Sequence, residues 1–372
     1  MKICIVTRSV IRGDGQGRAN YEIVHEALRR NHQVTLLAND IAPEFQQNPQ
    51  VRWVSFPDKR LATQLLRCVS FDRRSAAWLR QHRHEFDVVQ VYGATTSAPS
   101  DVNTAQFVHS AWLRSPVHIS RMRHDFYGAY QWLYTSLNAR WEKAAFQRAT
   151  VVIAVSQQVG RELEAIGIPQ ERIRVILNGV DLEEFSPGKA DRQQFGFPEA
   201  ASVALFAGDI RTNRKNLDTV LNALVQVPDI HLAVVGGTSG SSYPKLAEEL
   251  GVKERVHFLG YRRDLPEIMR AVDFFVFPSR YEPFGMVVTE AMASGLPVIT
   301  TETTGAAEVV TPACGIVLSD SEDTEGLSQA LNLLTRNPDQ RKQMGKVARL
   351  IAEQHSWSSK AQSYIELFEE TV

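Results

Sequence analysis

Short apolar runs alternate with amphipathic stretches along most of the chain, and this alternation limits the folds that it can adopt. Each apolar run is nearly continuous, as in the segments KICIVT and FFVFP. Continuous apolar strands are typical of a parallel sheet that helices cover on both faces. Strands are predicted at residues 2–7, 33–38, 87–92, 105–109, 151–156 and 173–177, and again at residues 203–207, 231–235, 256–259, 274–278 and 297–301. The sequence therefore predicts an α/β protein with parallel sheets.

Amphipathic segments between these strands predict the covering helices. Apolar residues recur at helical spacing, for example at Ile23, Val24, Ala27 and Leu28. Helices are predicted at residues 19–30, 59–84, 130–148, 217–225, 243–250 and 265–271. In open parallel sheets, ligands bind at the carboxyl ends of the strands. The loops that follow the strands are therefore the places to search for functional residues.

The alternation is interrupted at residues 183–201, where Pro187, Gly188, Gly196 and Pro198 leave little periodicity. Such a segment is typical of a linker between domains. A chain of 372 residues also suits two domains of ordinary size. We therefore expect one domain at residues 1–185 and a second domain at residues 186–356.

Composition and charge narrow the class of protein. A hydrophobic content of 44% with 22% charged residues is ordinary for a soluble globular protein. No run of about 18 apolar residues predicts a transmembrane helix, and the N-terminus shows no signal-peptide pattern. Residues 1–185 hold 23 Lys and Arg against 18 Asp and Glu, and the remainder holds 18 against 24. This split is too small to indicate nucleic-acid binding, and no basic tract carries interleaved aromatic residues.

The three cysteines, Cys4, Cys68 and Cys314, lie far apart and not at the spacing of metal ligands. Such cysteine usage is typical of a reducing compartment. We therefore expect a cytoplasmic protein without a structural metal.

Two glutamates, Glu282 and Glu290, lie in the string PSRYEPFGMVVTEAMASGLPVIT at residues 278–300. Glu282 follows a predicted strand, so it belongs to a loop at a carboxyl end. Gly285 allows a ligand to approach the backbone closely, and helical spacing begins directly afterwards, so the amides of residues 284–287 form a helix N-terminus that suits a phosphate. A carboxylate accepts paired hydrogen bonds from a sugar diol, although a glutamate in a turn or a helix is more often a solvated surface residue.

Arg214 and Lys215 follow the predicted strand at residues 203–207 and precede a predicted helix. Two adjacent cations in that place suit a diphosphate, because arginine offers a planar fork and lysine a point charge. No metal site is evident in the sequence, so these cations are the candidates for neutralising a leaving group. Alone, such a pair is more often a solvated surface feature.

The string with Glu282 and Glu290 resembles the E-x7-E motif of the retaining GT-B glycosyltransferases of family four. Two further segments resemble parts of the same family, VVIAVSQQVGRELEAIGIPQERIRVILNGVDLEEFSPG at residues 151–188 and LFAGDIRTNRKNLDTVLNAL at residues 205–224. The resemblance covers essentially the whole chain and is strongest at residues 151–310. It implies the GT-B fold, with two Rossmann-like, doubly wound domains facing a cleft and a C-terminal helix at residues 357–372 that crosses back to the first domain.

The resemblance also implies a donor site in the second domain, with the acceptor bound by the first. Glu282 would hold hydroxyls of the donor sugar and Glu290 the ribose, while Arg214 and Lys215 would stabilise the departing diphosphate. His109 would lie close to the C6 hydroxyl of the donor sugar, although a lone histidine is more often structural. Further donor contacts are implied for Phe284, Gly285, Met286, Gly15, Gly17, Gly208, Tyr261 and Arg262.

Two details depart from the family pattern or leave alternatives open. Many relatives have an arginine directly after the glycine that follows the strand, whereas this chain has Asp209, and Arg211 is the candidate substitute. The segment GDGQGR at residues 13–18 lacks the spacing G-x-G-x-x-G. It is therefore either a tight turn or a loop whose amides at Gly15 and Gly17 contact phosphate.

Arginines that recur every seventh residue form two sets on a predicted helix, and each set lies on one face. Such a stripe is most often a solvated face, and the alternative is contact with anionic lipid or with a phosphorylated acceptor. The sets comprise Arg60, Arg67 and Arg74, and Arg73 and Arg80, and further candidates are Arg114, Arg121 and Arg123. We hypothesise peripheral contact with an anionic membrane.

Taken together, these features favour a cytoplasmic, metal-independent, retaining glycosyltransferase that needs no cofactor. It is expected to move a hexosyl residue from a UDP- or GDP-sugar to an acceptor hydroxyl, in the synthesis of a cell-surface polysaccharide, lipopolysaccharide or glycolipid. The alternatives are a nucleotide-sugar epimerase or phosphorylase on the same fold, and a non-catalytic nucleotide-binding scaffold. A nicotinamide dehydrogenase is disfavoured, because the glycine fingerprint fails and Asp40 is a weak candidate for the acid after the second strand.

Overall fold

Two parallel β-sheets, each flanked by helices, form the framework of the protein. The computed structural model describes residues 1–13, 15–57 and 61–372. The chain divides into unit 1, which comprises Met1–Gly179 and Trp357–Val372, and unit 2, which comprises Val180–Ser356. The segment at residues 183–201, which we expected as a linker, lies within unit 2.

The larger sheet belongs to unit 1. Its strands and those of a small neighbouring sheet are β1 (Lys2–Val6), β2 (Ser9–Val10), β3 (Gln33–Leu37), β4 (Asp40–Ile41), β5 (Val51–Val54), β6 (Val88–Tyr92), β7 (Val102–Ala105), β8 (Val151–Ala154) and β9 (Ile173–Val175). In the described part of the chain, seven strands pair in the order β5-β3-β1-β6-β7-β8-β9, and β2 pairs with β4. Every pairing is parallel. The strands β3 and β5 lie on one side of β1 in the sheet, and the strands from β6 onwards lie on the other side, so the strand order reverses between β1 and β6.

Helices on both sides of this sheet complete the first part of unit 1. They are α1 (Gly15–Arg29), α2 (Pro43–Gln46), α3 (Gln64–His82), α4 (His109–Arg114), α5 (Ile119–Met122), α6 (Phe126–Arg148) and α7 (Gln157–Glu164), with short 3-10 segments at Arg83–Glu85 and Gln170–Arg172. Ile3 and Ile5 of β1 are fully buried and pack with Ile23 and Val24 of α1. Burial of each such side chain stabilises the fold by roughly 1.5–3 kcal/mol.

Unit 2 repeats the same architecture. Its strands are β10 (Ser202–Ala207), β11 (Ile230–Val235), β12 (Val256–Gly260), β13 (Phe274–Phe277), β14 (Val298–Thr301) and β15 (Gly315–Leu318). They pair in parallel in the order β12-β11-β10-β13-β14-β15. The chain therefore reverses its direction of winding between β10 and β13, and the carboxyl ends at such a switch point are where doubly wound sheets bind ligands.

Six helices cover the sheet of unit 2. They are α8 (Leu217–Val225), α9 (Tyr243–Glu249), α10 (Leu265–Ala271), α11 (Met286–Ala293), α12 (Thr324–Arg336) and α13 (Pro338–Glu353), with 3-10 segments at Gln193–Phe195, Asn213–Lys215, Lys253–Arg255 and Gly305–Val309. Phe206, Phe274, Phe275 and Phe277 fill the strands β10 and β13 with fully buried rings. These two strands are thereby held rigidly at the switch point.

The last helix of the chain, α14 (Trp357–Thr371), belongs to unit 1. Tyr364, Ile365 and Phe368 of α14 are buried in the core that β1 and α1 share. Directly before this helix, the last residues of unit 2 contact its first residue, because the amide of Val180 donates to the carbonyl of His355 at 2.9 Å. The two ends of unit 2 are therefore neighbours.

The predicted α/β class with parallel sheets is confirmed, but the prediction of a strand at residues 105–109 was wrong. The strand β7 ends at Ala105, and His109 is the first residue of α4 rather than the last residue of a strand. Apolar spacing misplaced this strand because β7 contains Asn103 and Thr104, which are polar and yet fully buried. Both side chains are hydrogen-bonded inside unit 1, which makes their burial tolerable.

The glycine-rich segment at residues 13–18 was also misjudged, since α1 begins at Gly15. Gly15 and Gly17 therefore lie in the first turn of a helix instead of a loop, and Asp14 lies outside the described residues. The strands β5 and β15 were not predicted. Arg52 and Trp53 in β5 are exposed, so this edge strand has no continuous buried run.

No helix among the described residues is both long and apolar enough to span a bilayer. The three cysteines are free thiols, and Cys4 and Cys314 are buried.

Candidate functional site

A cavity of about 650 Å³ opens at the carboxyl ends of the strands of unit 2. We call it the unit 2 cavity. It is lined by Ala207, Gly208, Asp209, Arg211, Lys215, Val235, Gly236, Gly237, Tyr261, Arg262, Leu265, Phe277, Glu282, Gly285, Met286, Val287 and Glu290. The structure thus brings eight of the residues selected from the sequence to one cavity, which lies at the switch point of the sheet.

The backbone holds Glu282 in a fixed place beside the cavity. Its amide donates to the carbonyl of Thr303 at 3.0 Å, and its own carbonyl accepts from the amide of Gly305 at 2.8 Å. The glutamate turn, which we define as residues 278–285, is therefore paired with the segment that follows β14. A carboxylate fixed in this way can bind a ligand without first losing the conformational entropy of a mobile loop.

Gly285 turns the chain sharply into α11. Its φ angle is +90°, in the region that favours glycine. A Cβ atom there would lie 3.0 Å from Cγ of Glu282 and 3.0 Å from Cγ2 of Thr304. Met286 and Val287 follow in the first turn of α11, where amides have no partner inside the helix. The cavity therefore contains a helix N-terminus that favours an anion.

Arg214 and Lys215 lie in the 3-10 segment Asn213–Lys215, which we call the basic turn. The Lys215 side chain is 12% exposed, and its Nζ atom forms an ion pair with the Glu282 carboxylate. Burial lowers the pKa of Lys215 well below its ordinary value, and the charge of Arg214 lowers it further. Burial also lowers the pKa of Arg214. The charge of Asp209 opposes this lowering of the Lys215 pKa, and a bound anion would oppose it more strongly.

Asp209 and Arg211 form a second pair of opposite charges at the cavity. Nε of Arg211 lies 2.8 Å from Oδ1 of Asp209, and Nη2 lies 2.9 Å from Oδ2. The hydrogen bond from Arg211 lowers the pKa of Asp209. Arg211, the candidate substitute for the family arginine, is thus paired with Asp209, the acid that stands at the position of that arginine.

Gly236 and Gly237, which sequence reasoning missed, line the cavity. A Cβ atom on Gly236 would lie 2.3 Å from the carbonyl oxygen of Gly208. The loops after β10 and β11 can therefore approach each other only because residue 236 is glycine. The dipeptide Gly236-Gly237 directly after a strand was a visible signal that the motif analysis did not use.

The remaining residues selected in unit 2 differ in their exposure. The side chain of Tyr261 is 77% exposed. Arg262 is engaged with Asp264, at 2.8 Å from Nε to Oδ1. Glu290 lies in the second turn of α11 and lines the cavity, whereas Phe284 is buried and does not line it.

Unit 1 contains a separate, smaller cavity of about 200 Å³, lined by His109 among other side chains. Oε2 of Glu142 lies 2.6 Å from Nδ1 of His109, and Oε1 accepts the backbone amide of the same residue. Glu142 is 2% exposed, and burial raises its pKa. Sequence reasoning missed Glu142, because its partner lies 33 positions away and no local motif links the two.

The polar lining of the unit 1 cavity suits a hydroxylated ligand. Hydrogen-bonding side chains are contributed by Arg8, Gln16, Gln64, Thr95, Gln106, Tyr134 and Asn138. Gly15 and Gly17 lie beside Gln16 in the first turn of α1. Phe71 and Phe107 add apolar surface.

Some arginines of the stripe form hydrogen bonds within the protein, and others are exposed. Arg60 lies outside the described residues. Nε of Arg67 donates to the carbonyl of Leu61 at 3.0 Å, and Arg74 donates to the carbonyl of Pro57. Arg73 and Arg80 are exposed on α3. Across the described ranges, no group of three or more His, Cys, Asp or Glu side chains is placed to hold a metal ion.

Comparison with known families covers both units. Residues 13–184 match the model for Glycosyltransferase Family 4, and residues 188–350 match the model for Glycosyl transferases group 1. The chain belongs to the family 4 glycosyltransferases. This membership and the GT-B fold of solved structures that it resembles confirm the family and the fold predicted from the sequence.

Individual relatives of this glycosyltransferase are distant. It is 28% identical to a D-inositol 3-phosphate glycosyltransferase from Corynebacterium urealyticum, over 83% of this chain and 77% of the relative. Other curated relatives match over about half of their own length. A sucrose-phosphate synthase from Thermosynechococcus elongatus has a TM-score of 0.80 at 20% identity, covering 99% of this chain and 98% of the other. The Anabaena protein HepE in complex with UDP-glucose has a TM-score of 0.71 at 24% identity, covering all of both chains.

Proposed function

We propose that the protein is a retaining hexosyltransferase whose unit 2 binds a nucleotide-diphosphate sugar. The observation that carries this proposal is the Lys215 side chain, which is 12% exposed and lines the same cavity as the amide end of α11, with Arg214 next to it in the basic turn. Lys215 is paired with the Glu282 carboxylate in this structure, and a bound anion would add a second negative partner for the same ammonium group. A diphosphate supplies two negative groups, and helix N-terminal amides bind phosphate oxygens.

The other residues at the unit 2 cavity fit the rest of the donor. Glu282 accepts hydrogen bonds from sugar hydroxyls, and Glu290 binds the ribose. The backbone next to Tyr261 and Arg262 frames the base, because the Arg262 guanidinium is engaged with Asp264. HepE, which has the same fold, was solved with UDP-glucose. A UDP-sugar is therefore the first donor to test, and a GDP-sugar is the second.

The proposed transfer needs no metal ion. The bond between C1 of the sugar and the phosphate oxygen breaks, and its electron pair stays on that oxygen. The acceptor oxygen bonds to C1 on the same face, and its proton passes to a phosphate oxygen. Arg214, Lys215 and the first amides of α11 stabilise the charge that develops on the diphosphate.

The acceptor binds to unit 1 in this proposal. The polar lining of the unit 1 cavity suits a molecule with several hydroxyl groups. One relative is named for action on inositol 3-phosphate, which supports a hydroxylated acceptor. The broader role in this proposal is synthesis of a cell-surface polysaccharide, lipopolysaccharide or glycolipid in the cytoplasm.

Peripheral membrane contact is a further part of the proposal. Met122, Phe126 and Tyr127 are exposed near Arg121, and Phe126 is 98% exposed. Arg123 lies in the same segment and is paired with Asp125. Aromatic side chains with neighbouring cations are typical of surfaces that contact anionic lipid. Sedimentation with acidic vesicles but not with neutral vesicles at low salt would support this contact, and equal sedimentation with both would oppose it.

A thermal-shift screen with UDP, GDP and ADP tests the donor site. A ligand present at about 100 times its dissociation constant should add about 2.7 kcal/mol to the free energy of unfolding. The binding nucleotide then selects the sugar donor for transfer assays, in which the product must keep the anomeric configuration of the donor. Activity must survive EDTA.

Failure of all three nucleotides to bind would remove the proposal. Nucleotide binding without transfer across a broad acceptor panel would favour a scaffold. Release of free sugar without an acceptor, or a requirement for inorganic phosphate, would favour an epimerase or a phosphorylase.

A further inference from the structure

Arg280 lies in the glutamate turn, behind the residues that line the unit 2 cavity, and its side chain is 10% exposed. Its guanidinium has five N–H groups, and the structure gives it five hydrogen bonds. Nη1 and Nη2 donate to Asp218 at 2.9 and 2.7 Å, and Nε and Nη2 donate to Glu322 at 2.7 and 2.8 Å. Two carboxylates thus face one cation, so Arg280 is already neutralised and is not itself a phosphate ligand.

The fifth hydrogen bond of Arg280 reaches the basic turn. Nη1 donates to the carbonyl of Asn213 at 2.8 Å. The carbonyl of the next residue, Arg214, accepts from the backbone amide of Arg280 at 2.9 Å and from Oγ of Ser279 at 3.1 Å. These two carbonyls belong to the peptide planes on either side of the Arg214 Cα atom. Because the planes are held, the direction of the Arg214 side chain is held as well.

The far side of the basic turn is fixed to the same segments. Asn216 is fully buried and adopts a φ angle of +65°. Its Nδ2 atom donates to the carbonyl of Pro278 at 2.9 Å and to the carbonyl of Ser321 at 2.6 Å. Lys215 therefore lies between two anchored residues. The anchors connect the basic turn to the glutamate turn and to the loop before α12.

We propose that Arg280 is a positioning residue, which sets the basic turn in the geometry that the diphosphate of the donor requires. This inference rests on the proposed nucleotide-sugar function. Asp218 lies in the first turn of α8, directly after the basic turn, and Glu322 lies in the loop before α12. Without the guanidinium, these carboxylates would repel each other, and the carbonyl of Asn213 would lose its donor. Both changes displace Arg214 and Lys215 relative to Glu282.

The unit offers a matched control in Arg341. Its side chain is 12% exposed, and it also combines a carboxylate with carbonyl groups, donating to Asp273 at 3.0 Å and to the carbonyl of Leu334 at 2.7 Å. Asp273 precedes β13, so Arg341 lies at the amino ends of the strands, opposite to the unit 2 cavity. Loss of either arginine should weaken folding, but only loss of Arg280 should alter the basic turn.

The experiment compares Arg280→Met with Arg341→Met in the full chain. Calorimetric titration measures the affinity for UDP, GDP and ADP, and urea denaturation measures the free energy of unfolding. For the nucleotide that the unchanged protein binds, Arg280→Met should weaken affinity about tenfold or more, which is about 1.4 kcal/mol in binding free energy. Arg341→Met should change this affinity less than about twofold at a similar loss of stability.

Two milder variants keep the proposal testable if Arg280→Met does not fold. Arg280→Lys retains the charge but not the fork that spans two carboxylates and a carbonyl. Glu322→Gln changes a partner whose side chain is 55% exposed. Both should weaken nucleotide affinity by a smaller factor. Parental affinity in all the Arg280 and Glu322 variants, or an equal loss in Arg341→Met, would overturn the positioning role. If the unchanged protein binds none of the three nucleotides, the proposed function itself fails.

Discussion

Nδ1 of His109 lies 2.6 Å from Oε2 of Glu142, a carboxyl group that is 2% exposed. The same carboxyl group accepts the backbone amide of His109, so it fixes both the ring and the start of α4. With the carboxyl ionised, the proton of the pair lies on Nδ1. Nε2 is then the ring atom that is left for other partners.

Replacement Glu142→Gln should lower turnover more than it changes the Michaelis constant for the donor. The amide keeps the volume of the carboxyl group but does not select the Nδ1–H form of His109. We expect a loss of about tenfold in kcat, below the roughly 100-fold typical of a direct transition-state donor. Steady-state kinetics across pH measure this effect. A parental kcat in a folded Glu142→Gln variant would contradict it.

Replacement Glu282→Ala should separate binding from transfer. The variant lacks the carboxylate that accepts hydrogen bonds from the donor sugar, so turnover should fall by about 100-fold or more. Lys215 loses its partner in the free protein, and UDP no longer competes with that carboxylate, so UDP affinity should be equal or higher. Transfer assays and calorimetric titration test the two statements separately. Near-parental transfer by the variant would show that the role assigned to Glu282 is wrong.

Nucleotide binding should be coupled to proton uptake by Lys215. The pKa of Lys215 in the free protein is lowered by burial and then by Arg214, and a diphosphate beside it raises that pKa again. Between the lowered and the raised value, the complex holds more protons than the free protein, so affinity should fall as pH rises. Titration in buffers of different ionisation enthalpy measures the uptake. It should disappear in Lys215→Met and persist in Lys253→Met, which changes an exposed lysine of the same unit.

Asn216 offers a test of backbone conformation. Asn216→Ala and Asn216→Gly both remove the hydrogen bonds to Pro278 and Ser321, but alanine also disfavours the left-handed φ angle of +65°. The alanine variant should therefore be less stable than the glycine variant by about 1 kcal/mol. Urea denaturation of the two proteins gives this difference directly. Equal stability would mean that the neighbouring loops adjust to relieve the strain.

Local patterns in the sequence predicted the parts of the protein that depend on local order. The string at residues 278–300 contains its own strand end, glycine turn and helix start, so Glu282, Gly285 and Glu290 could be placed at a carboxyl end from the sequence. The basic turn was found in the same way, as two cations between a strand and a helix. Family membership and fold were predicted from these segments and are confirmed.

Contacts between distant segments could not be predicted. The Arg280 side chain meets Asp218 and Glu322, which are 62 and 42 positions away, and no repeating pattern joins them. His109 was placed on a strand because Asn103 and Thr104 are buried polar residues of β7 that break the apolar run. Burial of polar side chains depends on partners that only the folded structure supplies.

The hydrogen bond between Val180 and His355 brings the two ends of unit 2 together, so unit 2 could be exchanged as one continuous segment of the gene. The chain leaves unit 1 after Gly179 and returns to it at Trp357. The two positions at which a replacement segment would be joined to unit 1 are therefore neighbours. A counterpart from another family member could therefore be joined to unit 1 at two neighbouring positions in place of residues 180–356. Under the proposed function, chimeras joined at these two positions would exchange donor preference and keep the acceptor preference of unit 1.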